Sequence, residues 1–204
     1  MINAQPDFFE EAPSITLYDP LAQFLGSTAD GIITYEYADV VALAGHSCPT
    51  VASAYLMTRA ALKALYADET PVRGQVAVEI QGDRAEGVVG VVANVISYLT
   101  GAADDSGFKG LAGRFQRSGR LAFNSPIKGE VRFTRLDNGE KVQVSTHLQS
   151  VPASPKIREL MPLCVQGQAS EDELRQFGNA WQQRVKVLLL EHADDPQVIA
   201  LSAG

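Results

Sequence analysis

The chain has 204 residues, 46% hydrophobic and 20% charged, which suits one globular domain with a sizeable core. Its net charge of −7 and isoelectric point near 4.9 argue against non-specific binding to nucleic acid or to an anionic membrane surface. No apolar run spans a bilayer, the acidic start from Met1 to Glu11 is unlike a signal peptide, and two cysteines build no disulfide framework, so the expected compartment is the cytoplasm.

Pro20 predicts a short helix within Tyr18 to Leu25. Thr34 is placed to cap a second over Tyr35 to Ala44, although the alternation in Ile32 to Tyr37 also permits a strand. From Pro49 to Tyr66 the apolar residues Val51, Ala52, Tyr55, Leu56, Leu62 and Leu65 return at helical spacing. Arg73 to Gln81 alternates, which predicts a half-buried strand. Val88, Val92, Val95 and Leu99 form one stripe of a further helix that ends at Thr100-Gly101. Three strand-like segments follow, Arg120 to Phe123, Glu130 to Arg135 and Lys141 to Leu148, with Asp137-Asn138-Gly139 as a tight turn. Pro152, Pro155 and Pro162 mark a connector. Ser170-Glu171-Asp172-Glu173 is a capping box that opens a last helix to about Glu191, with Leu174, Phe177, Trp181, Val185 and Leu188 on its inner stripe. Helices and strands segregate toward the end, so the expected class is α+β with a mostly antiparallel sheet.

The stretch Gly45-His46-Ser47-Cys48-Pro49 carries the chemistry. Proline suits the first helical position, which puts Cys48 at or near the N-cap. There the backbone N–H groups and the helix dipole favour a thiolate. A thiolate is both a metal ligand and a nucleophile, and His46 is a ligand type for the same metals, zinc among them. Two ligands are fewer than a metal site needs. The same residue types also suit an inert, buried cysteine beside a hydrogen-bonded histidine.

This motif, the helix after it, Leu99-Thr100-Gly101 and Gly107-Phe108-Lys109-Gly110-Leu111 resemble the E-type subunit family of formylmethanofuran dehydrogenase over roughly Tyr35 to Leu148. The resemblance implies an α-β-α-β-β-β core, a homodimer and a metal-associated cleft at the histidine and cysteine. The chain departs from the family pattern at Thr50 (glycine in the family), at Val91 and Ala102 (cysteines) and at Asn94 (aspartate). It also carries no C-terminal cysteine-pair zinc finger. It is thus expected to be a divergent branch with fewer of the family's ligands.

Gly107 to Gly119 is a basic island in an acidic protein, with Lys109, Arg114 and Arg117 between glycines. Glycine admits a ligand close to the backbone and arginine matches carboxylate or phosphate. The island could bind an anion beside the His46/Cys48 cleft, or be a solvated surface loop balancing Asp104 and Asp105. Those two aspartates are candidate replacement ligands and also suit a solvated turn. Cys164, in an apolar context, is expected in the core. His147 is expected at the surface and His192 at a helix end.

The expected organisation is an extension with a short helix over 1–34, an α+β core over 35–150 and a C-terminal helical extension over 151–204. The leading functional expectation is a homodimer holding a divalent transition metal such as zinc through His46 and Cys48, with a small anionic ligand held by Lys109, Arg114 and Arg117. The alternatives are a metal-free thiol enzyme with Cys48 as nucleophile and a non-catalytic accessory subunit of a redox enzyme. No cluster of acid and base residues in the sequence names a reaction.

Overall fold

The computed structural model describes residues 5–204; the first four residues of the expected N-terminal extension lie outside the described residues. The fold is α+β. A mixed, mostly antiparallel sheet of five strands runs β4-β3-β5-β6-β7, formed by β3 (Val76–Ile80), β4 (Leu121–Ala122), β5 (Val131–Arg135), β6 (Lys141–Thr146) and β7 (Ile199–Ala203). β4 runs parallel to β3, and the other pairs are antiparallel. Alternation decides the faces. Val76, Val78 and Ile80 of β3 and Val131 and Phe133 of β5 point into the core. On the opposite face Arg132 donates to both carboxylate oxygens of Glu79, at 2.7 and 2.6 Å.

The inner face is covered by α4 (Pro49–Tyr66), with α5 (Val89–Thr100) packed alongside it. The sequence stripe of α4 is buried as expected, Tyr55 and Leu56 at 0% exposure. Each such side chain contributes roughly 1.5–3 kcal/mol by leaving water. Both helices end on the periodicity seen in sequence, and α5 stops at Gly101 with φ 74°. Its stripe is inside at Val95 and Leu99, while Val88, expected inside, precedes the helix and is 55% exposed.

Before the core, β1 (Ile15–Tyr18) and β2 (Ile32–Tyr35) pair as a separate antiparallel ribbon, flanked by the single turn α1 (Phe8–Glu11) and by α2 (Pro20–Phe24). The segment open to two readings splits between them. Ile32 to Tyr35 is strand, and α3 (Tyr37–Ala44) follows with Glu36, not Thr34, at its N-cap. The Glu36 N–H donates to Asp39 Oδ2 at 2.8 Å.

The C-terminal segment departs most from expectation. The proline-marked connector is a helix, α6 (Pro155–Val165), because Pro155 occupies its first turn behind the Ser154 cap. It pairs with α7 (Glu171–Glu191), opened by the expected Ser170/Glu173 box. Only the second half of α7 reaches the core, through Val185, Leu188 and Leu189. Leu174 is exposed and Phe177 and Trp181 are half-buried, their rings 5.6 Å apart. The inner face of α6 is Ile157 and Leu160, so Cys164, expected in the core, is only half-buried. After α7 the chain returns as β7 along β6. No helix among the described residues is long and apolar enough to cross a membrane.

Candidate functional site

The turn from α3 into α4 builds the site. Gly45 ends α3 in the left-handed region, φ 76°, with its N–H on Val41 O at 2.8 Å. Glycine adopts that conformation without the steric cost of a side chain. The chain reverses through His46 and Ser47 and enters α4 at Pro49. Cys48 is the N-cap residue, and its Sγ accepts the Val51 N–H at 3.4 Å. The sulfur therefore sits at the positive end of an 18-residue helix.

Two contacts hold this turn from behind. The Tyr37 hydroxyl is hydrogen-bonded to Ser47 Oγ at 3.0 Å. Tyr37 is fully buried, and burial pushes its phenol well above the usual range, so it stays neutral. From α7, Gln182 Nε2 donates to Ser47 O at 3.0 Å. Sequence reasoning missed both residues: Tyr37 reads as core, and Gln182 lies 135 positions away from Ser47. His46 is exposed and its Nδ1 lies 3.0 Å from Ala44 O. That contact directs Nε2 outward, the arrangement a metal-ligating imidazole adopts.

The donor set stops there. Among the described residues no group of three or more His, Cys, Asp or Glu is placed to hold a metal ion. The positions where the family pattern has cysteines hold Val91, half-buried, and Ala102, fully buried. Asp104 is committed elsewhere: it accepts from the Ser106 N–H and hydroxyl and contacts Arg84. His46 and Cys48 are the right kinds of ligand, but one chain supplies two where three or four are needed.

The basic island is not beside this site. Thr50, at the start of α4, and Ile80, at the end of β3, line one cavity. Leu65, at the other end of α4, accepts from Arg135, which pairs with Val76 at the start of β3. The island belongs to that second end, where Arg117 meets Gly74 and Gly101. The length of β3 thus separates Arg117 from the start of α4, where Cys48 lies. Lys109 and Arg114 are exposed, and Arg114 lies over the Phe115 ring at 4.6 Å.

Arg117, read in sequence as part of a surface strip, is 6% exposed. Its Nη2 donates to Asp19 Oδ1 at 2.7 Å, while Arg73 Nη1 donates to Asp19 Oδ2 at 2.9 Å. Asp19 also caps α2 by accepting from the Leu21 N–H. Burial alone would raise the Asp19 pKa. The Arg73 hydrogen bond and the Arg117 charge outweigh burial and lower it. This cluster ties β1, the start of β3 and the basic island together.

Beside the site lies a cavity of about 430 Å³ between the starts of α4, α5 and β5 and the ends of β3 and β6. Its wall includes Thr50, two residues from Cys48, and Ser53 one turn on. The fold and the site together are those of an α+β protein with a thiol at a helix start and a chamber two residues further along the chain. The family model FmdE, described as molybdenum formylmethanofuran dehydrogenase operon, matches residues 43–195. The chain belongs to that family. No curated protein sequence matches it.

Proposed function

We propose that this protein handles a small molecule through the Cys48 thiol, without a resident metal held by one chain alone. The observation that carries the reading is the placement of Cys48: N-cap of α4, sulfur on the Val51 N–H, with a cavity opening two residues away. Free N–H groups of a first helical turn attract electron-rich groups and stabilise charge that develops on the sulfur or on a bound oxygen. His46 is turned to Ala44 O rather than to the sulfur, so the helix start, not a Cys–His pair, activates the thiol. No reaction is assigned.

A second reading has one observation in its favour. The His46 Nδ1 contact with Ala44 O presents Nε2 as a ligand. A divalent transition metal such as zinc would then take His46 and Cys48, with its other ligands from water or from a second copy of the chain. The expected homodimer belongs to this reading. Elemental analysis of purified protein and of His46→Ala decides between the two. The thiol reading expects no stoichiometric metal in either; stoichiometric metal lost in His46→Ala overturns it. The small anion expected at the basic island is proposed only for Lys109 and Arg114, since Arg117 is consumed by Asp19.

A further inference from the structure

The cavity beside Cys48 has a definite chemical character. Its inner wall is aliphatic, from Met57, Ile80, Val92, Val131 and Leu148. Its lining includes two carboxylates, Glu86 and Glu130, and no Lys, Arg or His. Both carboxylates are on exposed residues, and neither belongs to an ion pair among the described residues. Glu130 accepts from the Thr146 hydroxyl at 3.0 Å, and Glu86 from the Asp83 N–H at 3.4 Å. Each keeps lone pairs to spare.

The uncharged polar groups point the same way. Ser53 Oγ already donates to Thr50 O, Gln81 Nε2 to Ile127 O and Thr146 Oγ1 to Glu130. What these three side chains have left is mostly acceptor capacity, with the second Gln81 N–H and the Thr50 hydroxyl as the remaining side-chain donors. A chamber with an apolar floor and two negative charges outside any ion pair disfavours a carboxylate or phosphate, against the pull of the two helix starts that also border it. It suits a molecule with an apolar body and a head that brings both positive charge and N–H donors.

We infer that the cavity between α4, α5 and the sheet binds a small alkyl or aryl ammonium compound, its apolar part against Met57 and Val92 and its ammonium between Glu86 and Glu130. The inference rests on the thiol reading only in making this compound the small molecule that the Cys48 thiol handles. The anion-binding strip and this cavity then serve opposite charges at opposite ends of the sheet.

The test uses hexylamine, hexanol and hexanoate, which share an apolar body and differ in head group. Binding is titrated by calorimetry at neutral pH with full-length Cys48→Ser protein, so that thiol chemistry plays no part. Hexylamine is expected to bind about tenfold tighter than hexanol, two partly exposed carboxylates contributing a few-fold each. Hexanoate is expected to bind most weakly. Glu86→Gln with Glu130→Gln should erase the preference for the amine over the alcohol, and Val92→Phe, which fills the chamber, should abolish binding of all three. Equal binding of the three compounds, tighter binding of hexanoate, or no binding of hexylamine overturns the inference. So does a preference that survives the double glutamine variant, which keeps the test decisive if Val92→Phe fails to fold. Ordinary Cys48 reactivity with amine selectivity intact would sink the thiol reading and leave the cavity's ligand class standing.

Discussion

At the scale of single residues, two arginines of the basic island part company. Arg117 is buried against Asp19. Arg117→Ala removes one of the two charged partners of buried Asp19 and leaves it with Arg73 alone, so it should destabilise the fold by about 1.5–3 kcal/mol. Arg114 is exposed over Phe115, so Arg114→Ala should leave the denaturation midpoint almost unchanged. Urea unfolding of the two variants checks both statements, and equal midpoints would remove the structural role given to Arg117. Gly74 gives a sharper probe. Its φ is 83°, and a Cβ there would run into the Arg117 guanidinium. Gly74→Ala should therefore cost more than strained backbone alone, and pairing it with Arg117→Ala should give less than the sum of the two. The role of Cys48 at the helix start was legible because the signal is local: glycine ends one helix and proline begins the next. The burial of Arg117 was not legible, because its partner lies 98 positions away and nothing between them encodes the encounter.

At the scale of elements, periodicity revealed α4, α5, α7 and strands β3, β5 and β6, all of which bury one face. It missed β1 and β7. β1 pairs outside the main sheet. β7 has only its first residue, Ile199, buried, and the rest run along the sheet edge where no alternation is enforced. β7 still matters, since it covers the β6 edge in register from Val142 to Thr146. A chain ending at Ala193 should lose stability and associate through the freed edge; a monodisperse truncated protein with an unchanged melting temperature would contradict this. The Asp19 cluster links β1, α2 and β3 and makes a pH prediction. Its folded pKa lies below the ordinary 3.8. Its contribution is therefore fully present above that value and is lost as pH falls through the lower folded pKa. Asp19→Asn should flatten the acid limb of the stability curve. It should also lower stability at neutral pH, where Arg73 and Arg117 are left facing each other. An acid limb as steep as in the unmutated protein would move the titration to the exposed carboxylates.

At the scale of the whole molecule, the sheet separates two regions that the sequence leaves side by side. The cysteine site and the acid-rimmed cavity occupy one end, and the Asp19 cluster and basic island the other. α7 connects the C-terminal segment to the first of these through Gln182 on Ser47 O. Family membership rests on residues 43–195, and the departures that the resemblance implies, at Thr50, Val91, Asn94 and Ala102, include two expected thiol donors. The chemistry proposed for the protein rests on Cys48. The direct measurement is the rate of iodoacetamide alkylation of Cys48 and Cys164, read by peptide mass spectrometry at neutral pH on protein as purified and after chelation. Both cysteines are half-buried, so access alone does not rank them. The predicted result is faster alkylation of Cys48 than of Cys164, unchanged by chelation. Equal rates, a faster Cys164, or a Cys48 that reacts only once metal has been stripped would contradict it.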